Sequence, residues 1–198
     1  MASFATPIKA VSGGATEGHP EIRRLAEESA QTELRGTPVV ADADLMYEAS
    51  AAITDATSVL LAGFTSEPFH NLTTQDTAKH LSAGAPQNQP SATIIPLGAP
   101  LSDGKIGVII ANGDTLFEGA FGTTDVATLP AAADVGKIYG LTKDTGNSYW
   151  YVDKAKTTLG AGAIVTIVAL HPQDVIDGLV AGSRVIFRVN QVNRLFEQ

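Results

Sequence analysis

The sequence predicts a mainly β protein: a small β-barrel or sandwich body, an extended N-terminal arm and one short helix. Three observations carry this expectation. Short apolar runs rich in Val, Ile and Leu recur from residue 36 onward, each bounded by Gly, Asn, Asp or Pro. An Asn112-Gly113 pair separates two such runs, Ile106–Ala111 and Asp114–Glu118, and Asn-Gly supplies the positive φ values of a tight hairpin. The segment Arg184-Val185-Ile186-Phe187-Arg188-Val189 alternates: Val185, Phe187 and Val189 point one way and the two arginines the other, as on a half-buried strand.

Residues 1–35 form the arm. Pro7, Gly13, Gly14, Gly18 and Pro20 punctuate its first half, which reads as extended chain rather than core. Within it, Pro20–Glu28 predicts the short helix, because Ile22, Leu25, Ala26 and Ser29 fall on one face and Pro20 and Glu21 suit a first turn. The β body spans 36–198. Thr37–Val40 and Leu45–Glu48 flank an Asp-rich turn at Ala41–Asp44, and Ser58–Thr65 is a buried strand. A polar loop, His70–Ser91, follows; connections this long are functional or mobile. A second hairpin joins Lys137–Leu141 to Tyr149–Asp153 through Lys143–Asn147. Ala163–Leu170 is apolar on both faces and therefore central. These strands suggest closure into a barrel or sandwich.

Composition narrows the function classes. The chain has 198 residues, 17% of them charged, with few aromatics and no cysteine, so its core rests on aliphatic side chains and it holds no disulfide or thiolate metal site. Its net charge of −8 argues against nucleic-acid binding, which relies on Lys and Arg meeting phosphates. The charge is uneven. Residues 150–198 carry five basic and four acidic side chains, leaving 8 basic against 17 acidic, or −9, on the first 149. The first residues lack the basic and apolar regions of a secretion signal, and no apolar run approaches the ~20 residues of a membrane span. Cytoplasmic synthesis without membrane association is the expectation.

No motif carries chemistry convincingly. Asp144-Thr145-Gly146 spells the aspartic-protease triplet, and one copy per chain would serve a homodimer. Yet Lys143 and Asn147-Ser148 surround it, as in a solvated turn. His19, His70, His80 and His171 lack zinc-site spacing, and His171-Pro172 reads as a turn. Asp42-Ala43-Asp44 lacks the rest of a calcium loop. Ser12–Gly18 lacks the Lys-Ser or Lys-Thr ending of a phosphate loop, and Asn71-Leu72-Thr73 is a sequon without a secretion signal. There is no GxSxG elbow. No catalytic, cofactor-binding or metal-binding residue is assigned, and the chain is expected not to be an enzyme.

A resemblance adds to this. Gly136–Asp144, Tyr149–Asp153, Ala163–Asp174 and Gly182–Arg188, with Ser29–Val39 and Leu61–Phe64 upstream, resemble the capsid decoration (cement) proteins of tailed bacteriophages. The resemblance covers about two-thirds of the chain in scattered strand-and-turn blocks. It implies a β-tulip-like body and a structural virion protein on the exterior of an icosahedral capsid, assembled in the host bacterial cytoplasm. It further implies a homotrimer that clamps neighbouring copies of the major capsid protein, with no cofactor and no catalytic residue to carry over. The first 19 residues would then dock as an added strand on a capsid sheet edge. Two alternatives remain: a homodimeric aspartic protease using Asp144, and a glycan-binding β-module stacking sugars on Tyr149 or Trp150. In the capsid-binding case alternate members of Tyr149-Trp150-Tyr151 face the core.

Overall fold

The computed structural model describes residues 4, 6–12, 19–28, 31–42, 45–49, 60–69, 104–157 and 162–196. The polar loop His70–Ser91, with His70, His80 and the Asn71 sequon, lies outside them, as do Ala43, Asp44 and Gly13–Gly18.

The described chain is mainly β and its strands form two sheets. The first contains β1 (Lys9–Ser12), β7 (Leu116–Thr123), β8 (Val126–Ala127), β9 (Ile138–Lys143), β10 (Trp150–Asp153), β11 (Ala163–Leu170) and β12 (Arg184–Val189). Its pairings close on themselves. β7 pairs with β10, β10 with β9, β9 with β11, β11 with β12, and β12 with β7. The result is a five-stranded barrel in which only the β7–β10 seam is parallel. The eight residues of β7 make closure possible: Phe117–Ala120 serve β12, and Phe121 and Gly122 serve β10. Closing a sheet this way removes its exposed edges.

The second sheet contains β2 (Ile22–Ala26), β3 (Pro38–Asp42), β4 (Leu45–Glu48), β5 (Leu61–Thr65) and β6 (Lys105–Ile110), antiparallel in the order β2-β6-β5-β3-β4. It curls until its ends meet, where Glu27 bridges Met46 and the Glu28 amide donates to the Met46 carbonyl at 2.9 Å.

The two sheets share one core. Leu61, Phe64, Ile109 and Ala111 from the second sheet pack with Phe117, Trp150, Val185 and Phe187 from the first. Phe64 meets Phe117 at a centroid distance of 4.5 Å and Phe187 at 6.0 Å, edge-on to the latter. The opposite face of the second sheet has its own cluster around Val39, Met46, Ala62, Ile106 and Val108. Polar ties cross the junction as well. The Trp150 indole donates to Glu48 at 3.1 Å, and Lys143 pairs with the same carboxylate at 2.7 Å. After β12 the chain returns to the second sheet, where the Leu195 amide donates to the Leu61 carbonyl at 2.9 Å.

Several sequence expectations need correction. The helix over Pro20–Glu28 is strand β2, paired along its whole length with β6. A helical stripe that narrow cannot hold an isolated nine-residue helix in water, whereas β6 offers a backbone partner to each residue. The first part of the arm is not free of the core. Phe4 stacks on Tyr151 at 4.1 Å, Ile8 is buried, and β1 pairs with β7. Asn112-Gly113 makes no hairpin, because β6 and β7 belong to different sheets. Neither residue takes a positive φ; instead the Asn112 side chain accepts from the Thr115 amide and hydroxyl and from the Asp114 amide, turning the chain between sheets. The tight turn with positive φ is Thr124-Asp125, at 48° and 59°, joining β7 to β8. Trp150 and Tyr151 alternate, Trp150 joining the main core and Tyr151 a separate cluster, but both are buried because Phe4 covers Tyr151.

The remaining hairpins follow expectation: β3 with β4, and β9 with β10. β11 lies between β9 and β12 and is buried on both faces as far as Val165. β12 buries Val185, Phe187 and Val189, and Arg184 and Arg188 point outward.

Candidate interaction surface

One end of the barrel carries the described chain's single α-helix, α1 (Pro172–Asp177), between β11 and β12. Its start is built locally. Pro172 occupies the first turn, where a missing N–H costs nothing, and Asp174 follows there. Gly178 ends it at φ 90°, a conformation that favours glycine. These signals lie in the sequence but are outweighed by the shortness of the segment and by its lack of an inward apolar stripe.

That lack is the helix's distinguishing property. A surface helix ordinarily turns its apolar face to the core, yet no residue of α1 is buried. Ile176 is 78% exposed and Val175 50%, and Val180 just beyond is 65% exposed. The following chain lies against β8: the Gly182 amide donates to the Thr128 carbonyl at 3.1 Å. Val126 and Leu129, flanking that contact, are exposed too. Five of the eleven exposed large hydrophobics among the described residues therefore come from these two segments, which meet where Gly182 contacts Thr128.

Polar contacts hold α1 to the barrel. Arg184 of β12 reaches Asp174 with one guanidinium nitrogen at 2.6 Å and Glu118 of β7 with another at 3.1 Å. The Arg184 amide also donates to Asp174, at 2.7 Å. His171, the residue before the helix, sits between two carboxylates: Nε2 is 3.0 Å from Glu118 and Nδ1 is 3.2 Å from Asp174. The Nδ1 contact is not aligned as a hydrogen bond, and that nitrogen is buried. Burial alone would raise the Asp174 carboxyl, but hydrogen bonds from the Arg184 side chain and amide outweigh it and hold Asp174 below the usual carboxylate range. Asp174 in turn raises the Arg184 guanidinium. With a carboxylate facing each ring nitrogen, His171 is not placed to activate a hydroxyl nucleophile. His171-Pro172 is thus more than a turn: it opens the helix and anchors it.

The other candidate residues are placed differently. Asp144 closes its own turn, accepting from the Gly146 amide at 3.0 Å and the Asn147 side-chain amide at 3.1 Å, with the Asp144 carbonyl accepting from Ser148. The Asp-Thr-Gly triplet is here a turn within the β9–β10 hairpin. Trp150 is buried and Tyr149 half-buried, so Trp150 offers no stacking face to a sugar. His19 is exposed, and among the described residues no three His, Asp or Glu side chains gather as metal ligands. No protein-family model matches the chain, and neither does any curated protein or solved structure.

Proposed function

We propose that the protein is a structural virion protein that binds the outer surface of an icosahedral phage capsid, contacting the major capsid protein through α1 and the adjoining β8 loop. The observation that carries the reading is the inversion of α1, which faces the barrel with Asp174 and solvent with Val175 and Ile176. An isolated protein gains nothing from this arrangement. A protein that docks gains about 1.5–3 kcal/mol for each such side chain it fully buries. The exterior placement and the homotrimer come from the resemblance to decoration proteins. Three copies of a modest patch would hold a shell by avidity.

The geometry moves the proposed contact away from the first 19 residues. Deleting them would take Phe4 and Ile8 out of packed positions and β1 out of its ladder, so lost binding would report damage to the body. The better test is co-sedimentation with empty shells of the major capsid protein encoded beside this chain. The wild type is expected to sediment with the shells, and Ile176→Asp with Val180→Asp to remain in the supernatant while still folded by circular dichroism. A wild type that never co-sediments, or a double variant that binds undiminished, overturns the reading.

A further inference from the structure

We propose that His171 is a proton-operated latch for α1: taking up a second ring proton fixes the helix against β7 and β12, and with it the apolar face the helix presents. The inference about presentation rests on α1 being the docking element; the latch itself rests only on the local geometry.

The groups facing the imidazole are Glu118 from β7, Asp174 from α1 and Arg184 from β12. A neutral imidazole has one N–H to donate and one lone pair. Here a carboxylate oxygen lies within 3.2 Å of each nitrogen. One carboxylate must therefore face a lone pair whenever the ring is neutral. The buried, unpaired Nδ1 marks that unsatisfied contact. A second proton leaves no lone pair on the ring and places a positive charge within 3.2 Å of both carboxylates. Arg184 supplies one positive charge against the two carboxylates, so a neutral ring leaves the cluster at −1 and a protonated ring brings it to zero.

The latch acts on α1 because little else holds the helix. It buries no side chain, and its attachment runs through Asp174, the His171 backbone and Arg184. The His171 amide donates to the Arg184 carbonyl at 3.1 Å, and the Val175 amide donates to the His171 carbonyl at 3.1 Å. Loosening the ring loosens the first turn directly, and a helix held in its docking position binds with less ordering cost.

The test is hydrogen exchange by NMR on the full chain, followed at the Val175 and Arg184 amides from about pH 8 to about pH 5, the range in which imidazoles take up a proton. Rates are corrected for intrinsic exchange. Protection at both amides is expected to rise on the order of tenfold on acidification, and His171→Gln is expected to remove the rise while leaving protection in β11 and at residues 185–189 of β12 unchanged. A flat wild-type profile, or the same rise in His171→Gln, overturns the latch. Shell co-sedimentation at the two pH values separates the two proposals. Tighter binding at the acid end supports both. A protection change without any shell binding supports the latch and sinks the docking reading. Equal binding at both pH values overturns the latch as a regulator and leaves docking standing.

Discussion

The two sheets close in different ways. The first meets itself through a full ladder: β12 and β7 exchange four residue pairs, Arg184–Phe187 against Phe117–Ala120. Among the described residues the second meets itself through one bridge, Glu27 to Met46, and the adjoining Glu28–Met46 hydrogen bond. Strand length is the physical difference. β7 has eight residues, enough to pair with both β12 and β10, whereas β2 has five and β4 four. A sheet closed by one bridge gains little from closure, so the second sheet depends on the shared core. Leu61, Phe64 and Ile109 lend it the first sheet's aromatic packing. The chain is thus one complete barrel carrying a partly closed companion.

The largest test of that dependence is Trp150→Ala. It empties the junction and removes the donor to Glu48, and large aromatic truncations in cores cost about 3–5 kcal/mol. Urea unfolding should show both sheets losing stability together. If tryptophan-independent probes in the second sheet are unmoved, the shared core does not support it.

Gly63→Ala should separate the sheets. A Cβ there would lie 1.9 Å from the Ile109 carbonyl oxygen, so the β5–β6 ladder must shift, at a cost of about 1–3 kcal/mol or more. Amide exchange should accelerate in β5 and β6 and stay slow in β11 and β12. Uniform acceleration would mean the first barrel needs its companion as much as the reverse.

Asp134→Asn probes the first barrel alone. Burial pushes this carboxyl up, but hydrogen bonds from the Tyr139 hydroxyl and the Ala131 amide, with Lys154, bring it below its ordinary 3.8. A lowered folded-state value adds stability above about pH 4 that is lost as pH falls through the folded-state value. The variant should cost about 1.5–3 kcal/mol at neutral pH and progressively less in acid, read from denaturant midpoints at a series of pH values.

Glu48→Gln should have the smallest effect and the opposite sign of pH dependence. Burial raises this carboxyl above its ordinary 4.5; the Lys143 hydrogen bond offsets part of the rise, and the charge of Glu33 adds to it. A raised folded-state value favours folding most fully below 4.5, and the contribution is lost as pH rises through the folded-state value. The variant should therefore lose less stability than the wild type between mild acid and neutrality. A steeper decline in the variant would show that the Lys143 pair outweighs the burial.

How legible these features are in the sequence depends on the range of the interaction that fixes them. β12 follows from alternation at Val185, Phe187 and Val189, and the β9–β10 hairpin from its Asp, Gly and Asn turn, because a few neighbouring residues determine both. Asn112-Gly113 shows the limit of a local signal. The pair can form a tight turn, but the strands on either side find better partners elsewhere, β6 in β2 and β5, and β7 in β12 and β10. The real tight turn, Thr124-Asp125, lacks the usual glycine. It is supported from a distance by Tyr151, whose hydroxyl oxygen accepts from the Asp125 amide at 2.8 Å. The candidate surface was legible only in fragments. His171-Pro172, Asp174 and Arg184 stand out individually, but only the fold brings Glu118, more than fifty residues earlier, into contact with them.

The sequence by itself determined the mainly β character, the polarity of β12, the central place of β11 and the lack of any cysteine chemistry, since periodicity and composition act within one segment. Only the tertiary structure decided that Pro20–Glu28 is a strand, that the first residues are packed into the body, and that α1 turns its apolar side outward. Each of those outcomes depends on which distant partner a segment's backbone or charges meet. β6 offers Ile22–Ala26 a complete ladder, Tyr151 offers Phe4 a ring to stack on, and Arg184 holds Asp174 of α1 inward while Glu118 holds the preceding His171.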